Sequence, residues 1–282
     1  MRTKLTDIYN HDVLCDAHIQ LTGHDEQFMR SVAHRGYSET APENTLAAFK
    51  EAKKMGFNSV ECDVQFTKDN VPVLLHDNTI DRTSNGTGSI ANLTYEYVSS
   101  LDFGSWKSSK YVGEKIPTFE EFMLLCKRLS LHVYIELKYT SIDTTTYTQE
   151  QLENVYNIVK KHNMLKNVSW ISFSTDYLEI IKNIDNTARL GFLMSEVSPE
   201  YTGSTYIATL QSLKTDNNIV FLDMLYSIVS DSIVDACMDN SIPIEVWTVD
   251  TEEEILELNP YVSGVTSNTL KASEVLYRHV IE

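Results

Sequence analysis

Two carboxylates, Glu61 and Asp63, lie two positions apart in an apolar, β-prone run at residues 58–66. Side chains at positions i and i+2 of a strand point to the same face, so both carboxylates share one face and the apolar residues between them take the other. Two carboxylates on one inward face repel each other unless a cation lies between them. Oxygen ligands suit Mg²⁺ or Ca²⁺, so this run predicts a divalent metal site.

A polar turn at residues 67–70 leads from this run into a second β-prone run at residues 71–76. Strands joined by so short a turn must run antiparallel, so the second run is a hairpin return and not a further parallel strand. A turn centred between Asp69 and Asn70 sets His76 opposite Asp63, to within one residue of register. The hairpin therefore predicts an imidazole beside the carboxylates.

Two other β-prone runs end in groups of the same kind. His34 and Arg35 end the first run, and the run at residues 132–138 carries Glu136 and Lys138. Each group has an ordinary alternative: a packed histidine, a solvated acidic face or a simple ion pair. All of them fall near the carboxyl ends of consecutive strands, where barrel enzymes build their active sites. Their joint occurrence predicts one functional site.

The elements that position these residues follow from apolar β-branched runs that alternate with stretches of 3.6-residue period. Strands are predicted at residues 31–34, 58–66, 132–138, 167–173, 188–194, 218–223, 243–249 and 262–266. Helices are predicted at residues 43–55, 119–129, 149–162, 175–183, 205–214, 229–240, 251–258 and 270–279. This order predicts an α/β fold, an irregular (β/α)₈ TIM barrel. An open doubly wound sheet is the alternative, although no G-x-G-x-x-G turn follows the first strand.

Two segments depart from the repeat. Residues 1–30 have weak periodicity and form an N-terminal arm whose role the sequence does not reveal. Residues 77–117 are rich in turn signals and are predicted as a small insertion after the hairpin of the second strand, within a barrel domain at residues 31–282. A long insertion beside a site is typical of a functional lid or rim.

The overall charge narrows the choice of partners. The chain has a formal net charge of −17 and a sequence pI of about 4.8, without a basic stripe, so nucleic acid is not expected as a partner. Four scattered cysteines indicate neither disulfides nor a zinc cluster. No apolar signal segment or membrane span of about 18 residues is visible. We therefore expect a cytoplasmic protein without stable membrane insertion, and the oligomeric state stays open.

The motifs and their order resemble the glycerophosphodiester phosphodiesterase family. The resemblance covers residues 32–275 and rests on HRG at 34–36, PENT at 42–45, E-x-D at 61–63, HD at 76–77, RTSNGTG at 82–88, IPTFEE at 116–121, ELK at 136–138 and VWTV at 246–249. It implies an irregular (β/α)₈ barrel with an insertion after the HD pair. It also implies site roles: His34 and His76 as general acid and base, Glu61, Asp63 and Glu136 as metal ligands, and Arg35 and Lys138 as phosphate ligands.

The PENT segment is predicted to open the first helix, with Pro42 and Glu43 in its first turn and Asn44 or Thr45 capping it. We therefore interpret the segment as chiefly structural, holding the loop of His34 and Arg35.

The chain departs from the family's pattern at two strand ends. Residues 264–268 read GVTSN, where relatives usually carry Thr-Asp followed by Pro, and Ser174 replaces an Asp after Ser-Phe. Phe173 and Trp247 are predicted to line the pocket for the leaving alcohol, with core packing as the alternative for Trp247.

The resemblance favours hydrolysis of a glycerophosphodiester to glycerol 3-phosphate and an alcohol, with a divalent metal. The two imidazoles would exchange protons with the nucleophile and the leaving alcohol, in roles that the sequence does not assign. A lysophospholipase D-like enzyme is an alternative and predicts an exposed apolar cleft around the insertion. A non-catalytic binding barrel is another, but it predicts the loss of a histidine or carboxylate, and all are present.

Overall fold

The computed structural model describes residues 29–138, 147–196 and 203–281. Most of the predicted N-terminal arm, with Cys15, lies outside the described residues, whereas Cys62, Cys126 and Cys237 are buried and free. The chain divides into two compact units, Ala33–Ser172 and Phe173–Glu282, the latter with the segment that ends at Val32.

Strands and helices alternate along the described residues. The strands are β1 (Arg30–Ala33), β2 (Ser59–Phe66), β3 (Pro72–Leu74), β4 (His132–Leu137), β5 (Val168–Ser172), β6 (Leu190–Met194), β7 (Val220–Leu225), β8 (Ile244–Trp247) and β9 (Gly264–Ser267). The helices are α1 (Leu46–Lys54), α2 (Tyr95–Ser100), α3 (Phe119–Leu129), α4 (Gln149–Lys161), α5 (Thr175–Ile184), α6 (Gly203–Leu213), α7 (Asp231–Asp239), α8 (Glu252–Leu258) and α9 (Ala272–Ile281). All eight predicted strands are present, and β3 is the predicted hairpin return.

In the unit Ala33–Ser172, β2, β4 and β5 pair in parallel, and β3 pairs antiparallel with β2. Every residue of β2, β4 and β5 is buried, as is typical of parallel strands covered on both faces. In this register Asp63 lies beside Glu136. The sheet itself therefore brings acidic side chains of two strands together.

The observed hairpin register is shifted by one residue, which is within the margin of the prediction. Val64 pairs with Leu74, and the Leu75 amide donates to the Asp63 carbonyl, so Leu75 and not His76 lies opposite Asp63. The turn contains three residues because Asn70 adopts a left-handed φ of 60° and the Thr67 amide donates to the Val71 carbonyl. Asn tolerates this conformation better than most residues.

Helix α1 begins three residues later than predicted. Thr45 is its N-cap and accepts from the Ala48 amide, so Pro42 and Glu43 precede the helix. Asn44 is nearly fully buried with a left-handed φ of 56°, which is incompatible with a helical turn. The left-handed backbone of Asn44 thus prevents α1 from starting earlier in the chain.

Residues 77–117 share an apolar cluster with the hairpin that precedes them. The buried members of this cluster are Val73, Leu75, Ile80, Ile90, Val98, Phe103 and Ile116. Gly104 is required there, since a Cβ would lie 1.9 Å from the Tyr111 carbonyl oxygen. That these residues act as an insertion at the site stays a prediction.

In the unit that begins at Phe173, strands β6 to β9 pair in parallel in chain order. Glu245 of β8 lies beside Asp223 of β7 and is almost fully buried. Its carboxylate accepts hydrogen bonds from Arg189 and, at 3.2 Å, from Arg30. None of the helices within the described residues is both long and apolar enough to cross a bilayer.

Candidate active site

Three buried carboxylates meet at one point of the unit Ala33–Ser172. Glu61, Asp63 and Glu136 are 4%, 1% and 8% exposed, and each offers an oxygen that lies within 4.8 Å of the others. The convergence follows from the i, i+2 spacing on β2 and from the parallel register with β4. We call these three residues the acid triad.

Two cations contact the acid triad without neutralising it. The Lys138 ammonium lies 2.8 Å from a Glu136 oxygen and 3.3 Å from Asp63 Oδ1. Arg35 Nε lies 3.3 Å from Asp63 Oδ2, and the Arg35 amide donates to Glu61 Oε2 at 2.9 Å. Three carboxylates against two cations leave one formal negative charge in a buried site.

Glu61 Oε1 makes no hydrogen bond within the described part of the chain. Asp63 Oδ1 and Glu136 Oε1 share one cation, the Lys138 ammonium, at 3.3 and 2.8 Å. Buried polar atoms in native proteins are almost always partnered, and hard divalent cations take carboxylate oxygens as ligands. The acid triad therefore fits a divalent cation.

The pKa values reflect this excess of negative charge. Burial, with the charges of Asp63 and Glu136, raises the pKa of Glu61 well above its ordinary value. Burial, opposed by Lys138, raises the pKa of Glu136 to about 7. Burial also opposes ionisation of Asp63, but Lys138 and Arg35 outweigh it and hold its pKa below the ordinary range.

His34 lies at the edge of the acid triad. Its Nε2 is 3.9 Å from Glu61 Oε2, and its side chain is mostly buried. The chain turns at once after it, since Arg35 and Gly36 have left-handed φ values of 55° and 79°. A Cβ on Gly36 would lie 2.7 Å from Ala48 of α1, so the HRG turn needs glycine to pack against the helix.

Asn44 contacts the acid triad directly, which sequence reasoning missed. Its Nδ2 donates to Asp63 Oδ2 at 2.7 Å, and its Oδ1 accepts from the Asp63 amide at 3.2 Å. The Asn44 amide in turn donates to the Arg35 carbonyl. An asparagine before a helix is such a common cap that the sequence carries no separate signal for this contact.

His76 lies near Asp63 although the hairpin register is shifted by one residue. The charge of His76 lowers the pKa of Asp63, and the charge of Asp63 raises that of His76. Gln65 Nε2 donates to the carbonyls of residues 75, 76 and 77 and so fixes the backbone of this segment. His76 Nδ1 lies 2.7 Å from Asp77 Oδ1, which leaves Nε2 as its other ring nitrogen. Burial lowers the pKa of His76 below its ordinary value.

Phe173 and Trp247, predicted to line the alcohol pocket, both belong to the other unit. Their rings are in edge-to-face contact, with centroids 5.9 Å apart and planes at 89°. Trp247 Nε1 donates to the Asp223 carbonyl at 3.3 Å. The structure thus brings this pair of residues together, and their contact with substrate stays a prediction.

Comparison with known proteins decides the family. The family model of the glycerophosphoryl diester phosphodiesterase family matches residues 34–271. The chain belongs to this family. It is 32% identical over 229 residues to a glycerophosphodiester phosphodiesterase of Caldanaerobacter subterraneus, a match that covers 79% of this chain and 87% of that protein. A match to the mouse glycerophosphodiester phosphodiesterase 1 is 44% identical over 110 residues but spans 38% of this chain and 33% of the mouse protein.

Solved structures confirm the predicted fold class. An Oleispira antarctica phosphodiesterase in complex with the product sn-glycerol-3-phosphate matches with a TM-score of 0.77 and 25% identity, covering 90% of this chain and 97% of that one. A Silicibacter pomeroyi structure matches with a TM-score of 0.78 at 19% identity, over 89% of this chain and 94% of that one, and bears on the fold alone. The chain is thus a (β/α)₈ barrel and, by family, a phosphoric diester hydrolase.

Proposed function

We propose that the chain hydrolyses glycerophosphodiesters to glycerol 3-phosphate and an alcohol at the acid triad. The observation that carries the proposal is the net negative, incompletely hydrogen-bonded triad with His34 and the His76–Asp77 pair beside it. The product bound by the Oleispira antarctica relative supports the choice of substrate class.

We assign the divalent cation, Mg²⁺ or Ca²⁺, to Glu61, Asp63 and Glu136. A bound cation supplies charge neutralisation for the non-bridging phosphate oxygens. Arg35 and Lys138 add two positive charges at the same place, and we assign them to phosphate binding. Because the triad already holds both of these side chains by ion pairs, their charges are positioned before substrate arrives.

Proton transfer is assigned to His34 and His76. The lowered pKa of His76 keeps the imidazole neutral near pH 7, a state that can accept a proton. Contact with Asp77 holds Nδ1, which leaves Nε2 to exchange protons. One histidine withdraws a proton from the attacking group, the 2-hydroxyl of glycerol or a water molecule, and the other protonates the departing alcohol.

A cavity of about 420 Å³ adjoins Lys138. Its lining is mixed: amide and hydroxyl side chains, those of Gln65, Asn78, Thr79, Ser89 and Asn92, stand beside the more apolar Phe66, Ile90, Ala91 and Tyr147. The exposed apolar side chains of residues 77–117, Tyr97, Trp106 and Val112, do not line it. The amide and hydroxyl groups suit the polar head of a glycerophosphodiester, whereas Phe66 and Ile90 are the kind of lining that the lysophospholipase D-like alternative calls for, so the turnover panel below decides between the two. Phe173 and Trp247 are kept as proposed contacts of the alcohol.

The test is a turnover panel on metal-stripped protein. Glycerophosphocholine, glycerophosphoethanolamine, glycerophosphoinositol and lysophosphatidylcholine are each supplied with Mg²⁺ or Ca²⁺, and products are read by ³¹P NMR. We expect glycerol 3-phosphate from the deacylated substrates, no turnover after EDTA treatment, and recovery on adding a cation. The Glu61→Gln variant should show no turnover when the cation is added back. Turnover that survives thorough removal of metal would reject the metal assignment, and lysophosphatidylcholine as the best substrate would favour the alternative.

We also propose a cytoplasmic setting, because the three cysteines within the described residues are buried and unpaired.

A further inference from the structure

Arg82 lies between two carboxylates that each contact a residue of the proposed site. Its Nε and Nη2 donate to Asp77 at 2.7 and 3.0 Å. Its Nη1 and Nη2 donate to Glu43 at 2.7 and 2.9 Å. The guanidinium thus forms two bidentate pairs at once, an arrangement that fixes the plane and position of both carboxylates.

Each of these two carboxylates also contacts a different residue of the proposed site. Asp77 Oδ1 contacts His76 Nδ1 at 2.7 Å. Glu43 Oε1 accepts from Arg35 Nη1 at 2.8 Å, and Arg35 in turn contacts Asp63. A continuous series of hydrogen bonds and ion pairs therefore runs from one proposed proton carrier, His76, through Arg82, to the proposed phosphate ligand, Arg35.

We propose that Arg82 is a positioning residue that sets His76 through Asp77 and Arg35 through Glu43. The inference rests on the proposed function, since it assigns His76 and Arg35 their roles in phosphodiester cleavage. A carboxylate behind the second nitrogen of an imidazole fixes its ring orientation and proton position. Arg82 fixes that carboxylate, and a small misplacement of a reacting group is enough to slow an enzyme strongly.

The contacts on the two sides of Arg82, through Asp77 to His76 and through Glu43 to Arg35, predict different kinetic effects. Asp77→Asn loosens His76 and should lower kcat with little change in KM. Glu43→Gln loosens Arg35 and should raise KM more than it lowers kcat. Arg82→Ala removes both constraints and should change both constants, with a fall in kcat/KM of about 10- to 100-fold.

Substitution and rescue at position 82 test the inference. Arg82→Lys keeps the charge but cannot hold two carboxylates in a planar fork, so it should recover little activity. The Arg82 side chain is 45% exposed, so guanidinium ion at millimolar concentration can enter the space left in Arg82→Ala and should restore part of kcat. Arg278→Ala is the control, since Arg278 makes a similarly exposed ion pair with Glu252. Full activity in Arg82→Lys, or no change in Arg82→Ala, would overturn the inference.

An inactive wild-type protein would reject the proposed function without deciding the role of Arg82. The imidazole of His76 is therefore also followed by NMR in wild type and in Arg82→Ala. We expect its ring ¹⁵N shifts to change in Arg82→Ala and to stay as in wild type in Arg278→Ala. Unchanged His76 shifts in Arg82→Ala would overturn the positioning role whether or not turnover is observed.

Discussion

Two buried clusters of charge, one in each unit, differ in how their charges balance. In the acid triad, three carboxylates contact two cations, Arg35 and Lys138. In the cluster around Glu245, one carboxylate contacts two cations, Arg30 and Arg189. Carboxylates thus outnumber the contacting cations in the first cluster, whereas cations outnumber the carboxylate that they share in the second. Buried carboxylates without sufficient counter-charge are costly, so the first cluster calls for a further cation, whereas Glu245 is already held by two.

This difference predicts that the acid triad serves chemistry and the Glu245 cluster serves stability. Substitution of the histidines beside the triad should therefore affect turnover far more than unfolding, and substitution of Glu245 should do the reverse.

The largest effect on turnover is expected at the two histidines beside the triad. His34→Ala and His76→Ala should each lower kcat at least about 100-fold, since general acid–base catalysis contributes factors of that size. The measurement is kcat with glycerophosphodiester in saturating metal, alongside thermal unfolding. His162→Ala is the matched control, because His162 also contacts a carboxylate, that of Glu120, at the end of α4. Near-native rates in both catalytic variants would eliminate the acid–base assignment.

The largest effect on stability is expected at Glu245. Glu245→Ala removes the buried carboxylate that the guanidinium groups of Arg30 and Arg189 both contact, so the free energy of unfolding should fall by about 3–5 kcal/mol. Denaturant unfolding measures it, and the folded fraction should keep its kcat. Glu252→Gln, which breaks an exposed pair with Arg278, should cost less than about 1 kcal/mol. Equal losses in the two variants would contradict the contrast between the clusters.

A smaller effect is expected at Asn44, which joins the PENT segment to the triad. Asn44→Ala removes two buried hydrogen bonds to Asp63 and places alanine at a left-handed φ, so it should cost about 2–3 kcal/mol. It should also raise the cation concentration needed for half-maximal turnover. Asn163 has the same φ of 56° at an exposed position, so Asn163→Ala measures the backbone cost alone. Loss of turnover at unchanged stability would contradict the interpretation of the segment as chiefly structural.

The triad was predictable from sequence because alternation along a strand and parallel order are local rules. Spacing alone placed Glu61 and Asp63 on one face, and the order of strands placed Glu136 beside them. The exact position of His76 was not predictable, because one left-handed residue, Asn70, lengthens the turn and shifts the register.

The ion pairs around Arg82 escaped prediction for a different reason. Arg82 and Glu43 are 39 positions apart, so no periodic pattern links them. Likewise, Asn44 is not helical and its side chain contacts Asp63, 19 positions away. Local helix propensity gives no information about such a contact.

The smallest expected effect is the pH dependence of the metal-free protein. Because the folded-state pKa of Glu136 is about 7 and its ordinary value is 4.5, the folded chain binds more protons than the unfolded chain between these values. Stability must then fall as the pH rises through this window, and Glu61, whose pKa is also raised, acts in the same direction. Asp77, with its pKa lowered to about 2, acts oppositely but only below its ordinary pKa, outside the window. His76, whose pKa is lowered, acts oppositely inside the window, so the comparison with Glu136→Gln isolates the contribution of the triad.

Thermal unfolding with EDTA at pH 5 and pH 8 measures this effect, which we expect as a Tm that is lower by a few degrees at pH 8 than at pH 5. Mg²⁺ or Ca²⁺ should raise Tm more at pH 8 than at pH 5, because protons and cations compete for the triad. Glu136→Gln removes one of the repelling charges and should flatten the dependence, whereas Glu252→Gln should keep it. An unaltered slope in Glu136→Gln would place the excess charge elsewhere and would remove the contrast between the triad and the cluster of Glu245.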